Sequence, residues 1–513
     1  MAPFPLDSAA DRAKFIFLQI MNVPGNSVGV SNMGIWDTIA KLADAFLGDG
    51  GKATRPRDIS RTPDVARTRQ RPGRFARFTS EPEMLADVEV LPEYRFILGA
   101  VNAGCPAIFV TGKAGTGKST MIHWLRGQIG SCVVIAPTAV AAANVQGETI
   151  HSFFGLPPRL IDPEEKHPTT TKVRLMLENI SCLIVDEVSM VLPNLVDTMS
   201  NILRSARGST QPFGGVPVIF VGDLLQLPPV VSTPEEAVYF SHRYPTPNFF
   251  SADVFKEQKI VPLVLTEVRR QADPAFIDAL NRIRLNQNCR DAVALFNRNC
   301  FRDRLPEAPK GVYLVPTNKA ARTINVRELD KIVESARLYD AEISGDVPAN
   351  RWKLPVTDRL ELKVGAKVIF LKNHKPYWIN GDLGTVVDLE DDLVHICKDH
   401  SHNVVAVGRE TWCKYKYTYD FQTRQVGAEV IGEFTQFPIA LGWAITIHKS
   451  QGLTLSSLTL DLGDGAFAGG QTYVALSRAR TMDGITLIKP ISMRDVRTDP
   501  VVLAFYREHE IDC

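Results

Sequence analysis

Short apolar runs punctuate the chain from residue 107 onward. AIFVTG, CVVIAPT, CLIVDE and PVIFVGD alternate with helical stretches up to about residue 223. Strands buried on both faces read as continuous hydrophobic runs, so this pattern predicts an α/β unit with helices on both sides of a parallel sheet. The alternation returns at VYLVPT (312–317), SLTLDL (457–462) and GITLI (484–488), which predicts a second α/β unit. Between these, residues 360–437 show strand-like alternation broken by turns such as ING and GDLG, and predict a small all-β insertion. Near the start, Ile35, Ile39, Leu42 and Phe46 recur at helical spacing. The few charges of that segment (Asp37, Lys41 and Asp44) favour docking onto protein over lying on a membrane.

Composition narrows the class. The 513 residues are 45% hydrophobic and 22% charged, which fits a soluble globular chain. A formal charge of +1 excludes a uniformly basic coat but leaves room for a basic groove. The eight cysteines include no C-x-x-C pair, so neither a disulfide framework nor a zinc ribbon is expected. No apolar run reaches the roughly 20 residues of a membrane span. The opening MAPFPLDSAADR is a poor secretory or transit signal. These features set the expectation of an intracellular protein: cytoplasmic in a bacterium or phage, with nucleus and mitochondrion left open. Residues 52–78 carry nine Lys/Arg, two Asp and three Pro, and read as a disordered basic linker. A solvated tether is favoured there over a phosphate-contacting arm.

Specific chemistry begins at Gly112-Lys113-Ala114-Gly115-Thr116-Gly117-Lys118-Ser119, a G-x-x-x-x-G-K-[ST] match between a predicted strand and a predicted helix. Glycines there let successive backbone N–H groups turn toward phosphate oxygens. Lys118 reaches the β/γ-phosphates, and Ser119 offers a hydroxyl to Mg²⁺. Downstream, a second apolar run ends in Asp186-Glu187. A buried carboxylate at a strand end is costly unless it meets a cation. Asp186 is therefore assigned to Mg²⁺, and Glu187 to orienting and deprotonating water. Gln226, in GDLLQLPP, is a candidate to hydrogen-bond a γ-phosphate, although alone the segment reads as a turn with a structural Gln. Arg270 and Arg478 are candidates for delivery onto that phosphate, although each taken singly reads as a surface ion pair.

Taken in order, these residues closely resemble the superfamily-one helicases that move 5′→3′. The closest resemblance is to the Pif-type (petite integration frequency) branch, with RecD-type helicases next. The resemblance covers roughly residues 90–490. It rests on GKAGTGKST, APTAVAAANV (136–145), GETIHSFFGL (147–156), IVDEVSMV, FGGVPVIFVGDLLQLPPV (213–230), LTEVRRQADPAFIDALNRIR (265–284), LVPTNKAARTIN (314–325), LKVGAKVIFLKN (362–373), AITIHKSQGLTL (444–455) and YVALSRAR. It implies two tandem RecA-like P-loop NTPase domains with a small β-barrel insertion and a short N-terminal extension. The expected layout is a helical piece over 1–50, the basic linker over 51–80 and a first RecA-like domain over 81–264, with a wedge near 155–172. A second RecA-like domain over 265–358 and 438–500, a barrel over 359–437 and a tail over 501–513 complete it.

The resemblance also implies function. Lys118, Glu187, Gln226, Arg270 and Arg478 take ATPase roles, Ser119 and Asp186 hold Mg²⁺, and Gly112, Ala114, Gly115, Thr116, Gly117, Lys118, Ser119 and Thr120 cradle ATP. The family's adenine-reading Gln is missing, since residues 79–105 contain no Gln. Tyr94 stands in that stretch with a ring that can stack on a base, which leaves selectivity for ATP open. Pro137, Thr138, His151, Ser152, Phe153, Thr446, His448 and Lys449 are implied contacts to single-stranded DNA. From pattern alone Phe153 reads as a core aromatic and His448 as a satisfied core histidine; the resemblance reverses both. The alternation Trp412-Cys413-Lys414-Tyr415-Lys416-Tyr417-Thr418-Tyr419 reads first as a barrel strand with a solvated Lys face. His395, Cys397, His400 and His402 fit no zinc spacing. The expectation is an ATP-dependent 5′→3′ DNA helicase acting on single strands and forked duplexes in replication, recombination, repair and telomere maintenance. It is expected to be a monomer, with assembly on DNA left open. A single-strand translocase without unwinding and an ATP-gated clamp are the alternatives.

Overall fold

The computed structural model describes residues 89–511, except 158, 168–170, 232, 304–310, 346–355, 375, 379, 400 and 421–424. The N-terminal helical piece and the basic linker lie outside the described residues. Among the described residues no helix is long and apolar enough to cross a membrane.

The first lobe is a six-stranded sheet of β1 (Ala107–Gly112), β2 (Cys132–Ala136), β3 (Glu148–Thr149), β4 (Cys182–Val185), β5 (Val218–Val221) and β6 (Val261–Leu265). Its order is β3-β2-β4-β5-β1-β6, and every ladder is parallel. Strands β1, β2, β4 and β5 are buried along their whole length, as continuous apolar runs require. Ile108, Val110, Val134, Ile184 and Ile219 face α1 (Pro92–Asn102) and α2 (Lys118–Gln128). Phe109, Leu183, Val185 and Phe220 face the other way, in the core that includes α3 (Pro193–Arg207). Because the strands run parallel, the ends carrying Gly112, Asp186 and Asp223 share one edge.

The expected wedge segment is pinned to this lobe. Ile161 is fully buried, and α3 holds the segment through Asn194 Nδ2 to the Ile161 carbonyl (2.8 Å) and Asn201 Nδ2 to the Pro163 carbonyl (3.0 Å).

The second lobe contains a four-stranded parallel sheet, in the order Ala444–Thr446, Val312–Val315, Leu458–Leu460, Ile485–Leu487. Against it pack α4 (Pro274–Leu285) and α5 (Gln471–Leu476). Both lobes are thus parallel α/β layers, in keeping with the expected RecA-like architecture. The all-β insertion differs from the expected barrel. Among the described residues it is an open five-stranded antiparallel sheet, with Val404–Gly408 and Ile439–Leu441 as its outer strands and no ladder joining them. It also recruits Arg337–Asp340, ahead of the expected boundary, to pair with Arg359–Leu362. A long hairpin, Glu410–Asp420 with Gln425–Gln436, reaches from it to the first lobe, where Tyr415 packs on the core. The side chains of Lys416, Tyr417 and Tyr419 lie outside the description.

The segment expected as a tail holds α6 (Pro500–Glu508). Asp499 caps it by accepting from Val501 N (2.9 Å), and Val502, Phe505 and Tyr506 enter the first lobe's core. Phe505 stacks on Phe250 at 4.2 Å, and the Tyr506 hydroxyl bonds Thr111 Oγ1 (3.0 Å) and accepts from Leu224 N (3.2 Å). The chain therefore ends by strapping the second lobe back onto the first.

Candidate active site and nucleic-acid path

The P-loop follows β1 and leads directly into α2. Gly115 and Gly117 take φ of 85° and 86°, where a side chain would be strained. At Gly115 an added Cβ would also lie 2.4 Å from Arg270 Cβ, so the loop and the Arg270 backbone approach as closely as glycine permits. Lys118 Nζ donates to the carbonyls of Gly112 (2.8 Å) and Lys113 (3.1 Å), and Thr116 Oγ1 donates to the Lys113 carbonyl (3.0 Å). Burial lowers the Lys118 pKa, against the pull of Asp223 and Glu187. Ser119 and Thr120 are exposed at the start of α2.

Tyr94 does not offer its ring to a base. It is 1% exposed, packed against Trp124, and its hydroxyl donates to the Gly117 carbonyl at 3.1 Å. A phenol with an apolar body and one polar tip suits this buried bracing position. The expected stacking role is corrected accordingly: Tyr94 supports the loop from behind.

Asp186 and Glu187 stand beside the P-loop lysine. Burial, with Glu187 alongside, pushes the Asp186 carboxyl up to about 8. Burial also raises Glu187, while Lys118 and Arg478 hold it down. Gln451 of the second lobe donates to Glu187 Oε2 (3.0 Å) and to Gln226 Oε1 (3.3 Å). Sequence reading quoted Gln451 within a motif without assigning it a role.

The two arginines come from elements packed over this mouth. Arg270 is half-buried, donates to the Ser477 carbonyl (3.4 Å), and is held below its ordinary pKa by burial. Arg478 is 1% exposed; its nitrogens donate to the carbonyls of Val474 (2.8 Å) and Leu453 (3.4 Å) and to Ser477 Oγ (2.8 Å). None of these partners is a carboxylate. Burial, with Arg270 nearby, pushes its pKa down to about 9. A buried cation without a paired anion is expensive, and an arriving phosphate relieves that cost. Lys118, Asp186, Glu187, Gln226, Arg270 and Arg478 are thus brought to one cleft between the lobes.

Three further residues complete the cleft. Asp223 and Arg284 form a salt bridge between the lobes at 2.9 Å, both side chains being 2% exposed or less. Burial alone would raise Asp223, but Arg284 and Lys118 reverse it and leave the carboxyl below its ordinary value. Tyr473, 3% exposed, accepts a hydrogen bond from the P-loop amide of Ala114 at 3.1 Å. Burial, with Asp223 nearby, pushes its pKa up to about 12. The signal for Arg284 lay in the helix pattern. Phe276, Leu280 and Ile283 mark the apolar face of α4, and Arg284 follows Leu280 by four residues on that face.

The expected nucleic-acid contacts divide into two groups and one exception. Pro137 and Thr138 follow β2, and the Thr138 side chain caps the next helix by accepting from Ala141 N (3.2 Å). His151 and Ser152 begin helix Ile150–Phe154, with Ser152 Oγ donating to Glu148 Oε1 at 2.5 Å. In the second lobe, Thr446 accepts from Lys449 N (3.2 Å), His448 is half-buried and Lys449 is exposed. Burial lowers the pKa of both His151 and His448, disfavouring their charged forms. Phe153 is the exception. It is 4% exposed, edge-on to Phe154 at 4.8 Å, and part of the first lobe's core. Its assignment to base stacking is corrected to a core aromatic.

Comparison with known proteins follows this geometry. Residues 93–288 match the family model for PIF1-like helicase. A Pif1 ATP-dependent DNA helicase of Bdellovibrio bacteriovorus is 32% identical over 433 residues, spanning 83% of this chain and 93% of its own length. A crystal structure of Bacteroides sp Pif1 in complex with ADP-AlF4 matches with 34% identity and a TM-score of 0.76, covering 83% of this chain and 98% of that one. Bacteroides Pif1 bound to ssDNA matches with 35% identity and the same coverage, at a TM-score of 0.60.

Proposed function

The chain belongs to the PIF1-like helicases, and we propose that its cleft hydrolyses ATP to drive 5′→3′ travel along single-stranded DNA and to part the strands of a fork. One observation carries the coupling. Thr446, His448, Lys449 and Gln451 occupy a single turn, closed by Ser450 N to the Thr446 carbonyl (3.0 Å) and Gln451 N to the His448 carbonyl (3.2 Å). Gln451 bonds both Glu187 and Gln226, and the strand-facing residues sit two and three positions away. Any change at the reacting phosphate is therefore felt at the strand grip.

In the chemical step, the P-loop amides and Lys118 hold the phosphates, and Glu187 accepts a proton from the attacking water. Burial raises its pKa, which favours proton acceptance by the carboxylate. Gln226 hydrogen-bonds the γ-phosphoryl group, while Arg270 and Arg478 stabilise the charge that spreads over its oxygens. The products are ADP and phosphate. Ser119 and Asp186 are hard oxygen donors and fit Mg²⁺, since the Asp186 carboxyl, burdened by burial, gains from a cation. Bound there, the ion would neutralise phosphate charge.

At the fork, separating one base-pair step costs about 1.4 kcal/mol on average, so thermal fraying rectified by a grip that advances suffices. The test uses matched 5′-tailed and 3′-tailed duplexes with ATP and Mg²⁺. Strand separation on the 5′-tailed substrate alone is expected. Strand-stimulated hydrolysis without separation on either substrate would replace the helicase with a translocase. Unchanged turnover in a Glu187→Gln variant would replace both with a clamp.

A further inference from the structure

Three contacts in the cleft have no part in the hydrolytic roles above. Tyr473 Oη, from the second lobe, accepts the Ala114 N–H of the P-loop at 3.1 Å. The Arg284 guanidinium carbon lies 6.0 Å from the centroid of the Tyr473 ring. Arg284 then crosses to the first lobe and grips Asp223 with two nitrogens, Nη2 to Oδ1 at 2.9 Å and Nε to Oδ2 at 3.3 Å. Asp223 Oδ2 accepts in turn from Gln226 Nε2 at 3.3 Å. The four side chains form one path from the P-loop to Gln226, and its first two members, Tyr473 and Arg284, belong to the other lobe.

Stability does not explain this arrangement. A buried ion pair is often no better than well-packed apolar residues of the same volume. Arg284 occupies an apolar-face position of α4, where a leucine would pack, and its Nη1 has no hydrogen-bond partner among the described residues. Asp223 Oδ2 is shared between Gln226 and a guanidinium contributed by the other lobe. The lobes meet closely here: at Gly470, which precedes α5, an added Cβ would lie 2.2 Å from the Gln226 carbonyl oxygen.

We propose that Tyr473 and Arg284 are positioning residues that set Gln226 against the reacting phosphate only while the second lobe is seated on the P-loop. Hydrolysis then waits for closure of the cleft. The inference rests on reading this cleft as the ATP site.

The test compares Tyr473→Phe, Arg284→Lys and the double variant with the native chain, all with Mg²⁺ and a single-stranded oligonucleotide. Tyr473→Phe removes only a hydroxyl, and Arg284→Lys keeps the charge but loses the forked grip. Each single variant is expected to lose kcat by roughly fivefold, about the worth of one net hydrogen bond. KM for ATP and affinity for ADP should stay near native, while affinity for ADP–aluminium fluoride falls as kcat does. The double variant is expected to lose no more than the worse single one, because the two residues act on one path.

Equal loss of ADP and ADP–aluminium fluoride affinity would mean a merely structural role and overturn the proposal. So would additive losses, or no loss in either variant. Native-like ADP affinity also reports folding, and if one variant fails to fold the other still decides. If the native chain binds neither nucleotide, it is the ATP-site reading that fails, not the path.

Discussion

In the nucleotide cleft, Asp223, Arg284 and Arg478 are each 2% exposed or less, and every one is held by fixed partners. Along the proposed strand path, Lys449 is exposed, His151 and His448 are half-buried, and the hydroxyls of Thr138 and Thr446 cap their own backbone. Both regions straddle the same two lobes. They differ in what is prepared in advance. Charge in the cleft has already been taken out of water, so the protein has met the desolvation cost before substrate arrives, and each interaction is strong. The strand path has met little of that cost. Its groups are solvated or locally satisfied, and contacts to a phosphodiester merely exchange one polar partner for another. Removing a cleft side chain that meets the reacting phosphate should therefore cost orders of magnitude, and a substitution on the path only small factors.

The largest effect tests the first half of that contrast. Arg270→Ala should lower kcat about 10³-fold, the usual worth of an arginine on a transferring phosphoryl group. Single-strand affinity without nucleotide should be retained, since the side chain's hydrogen bond to the Ser477 carbonyl is a long 3.4 Å contact within the cleft. Steady-state hydrolysis with saturating oligonucleotide, together with fluorescence anisotropy, measures both. A loss of kcat under tenfold would place Arg270 away from the reacting group and erase the contrast.

Phe153 marks where the contrast is sharpest, because a residue expected on the path sits in the core. Phe153→Ala should destabilise the chain by about 3–5 kcal/mol through the cavity it leaves. The thermal midpoint should fall, with single-strand affinity of the folded protein kept. A stacking platform would behave in the reverse way, losing about 1–3 kcal/mol of binding with the midpoint unmoved.

The same division governs what could be read without coordinates. The P-loop and Asp186-Glu187 were legible because their chemistry demands particular residues at fixed local spacing, whereas Gln226 and both arginines took their roles only from the ordered motif resemblance. The parallel sheets were legible because buried strands are continuously apolar. Tyr94 and Phe153 were misassigned for one physical reason: an aromatic ring serves a core and a stacking face equally well, and only burial separates them. Asp223, Arg284 and Tyr473 lie inside motifs whose pattern gives them no role, since their partners lie far off in the chain, at a separation of 61 positions for Asp223 and Arg284 and 359 for Ala114 and Tyr473. The C-terminal helix was read as a tail although Val502, Phe505 and Tyr506 carry helical spacing; nine residues make a weak signal until a core receives them. Alternation predicted only an all-β insertion, which an open antiparallel sheet satisfies, and the barrel came from the resemblance.

Lys449 gives the smallest effect and the finest test of the path. Its ammonium is exposed, and no part of its solvation has been surrendered in advance. Lys449→Ala should weaken single-strand binding by no more than about tenfold at low salt. It should also reduce the slope of log affinity against log salt by about 1, as for the loss of one phosphate contact. The slope is the more telling quantity, because a general distortion of the Thr446–Gln451 turn would weaken binding without releasing fewer counterions. That turn also carries Gln451 to Glu187 and Gln226, so distortion would depress kcat as well. A reduced slope with native kcat at saturating strand identifies Lys449 as a phosphate contact. An unchanged slope with lowered kcat would move it from the path to the cleft's support.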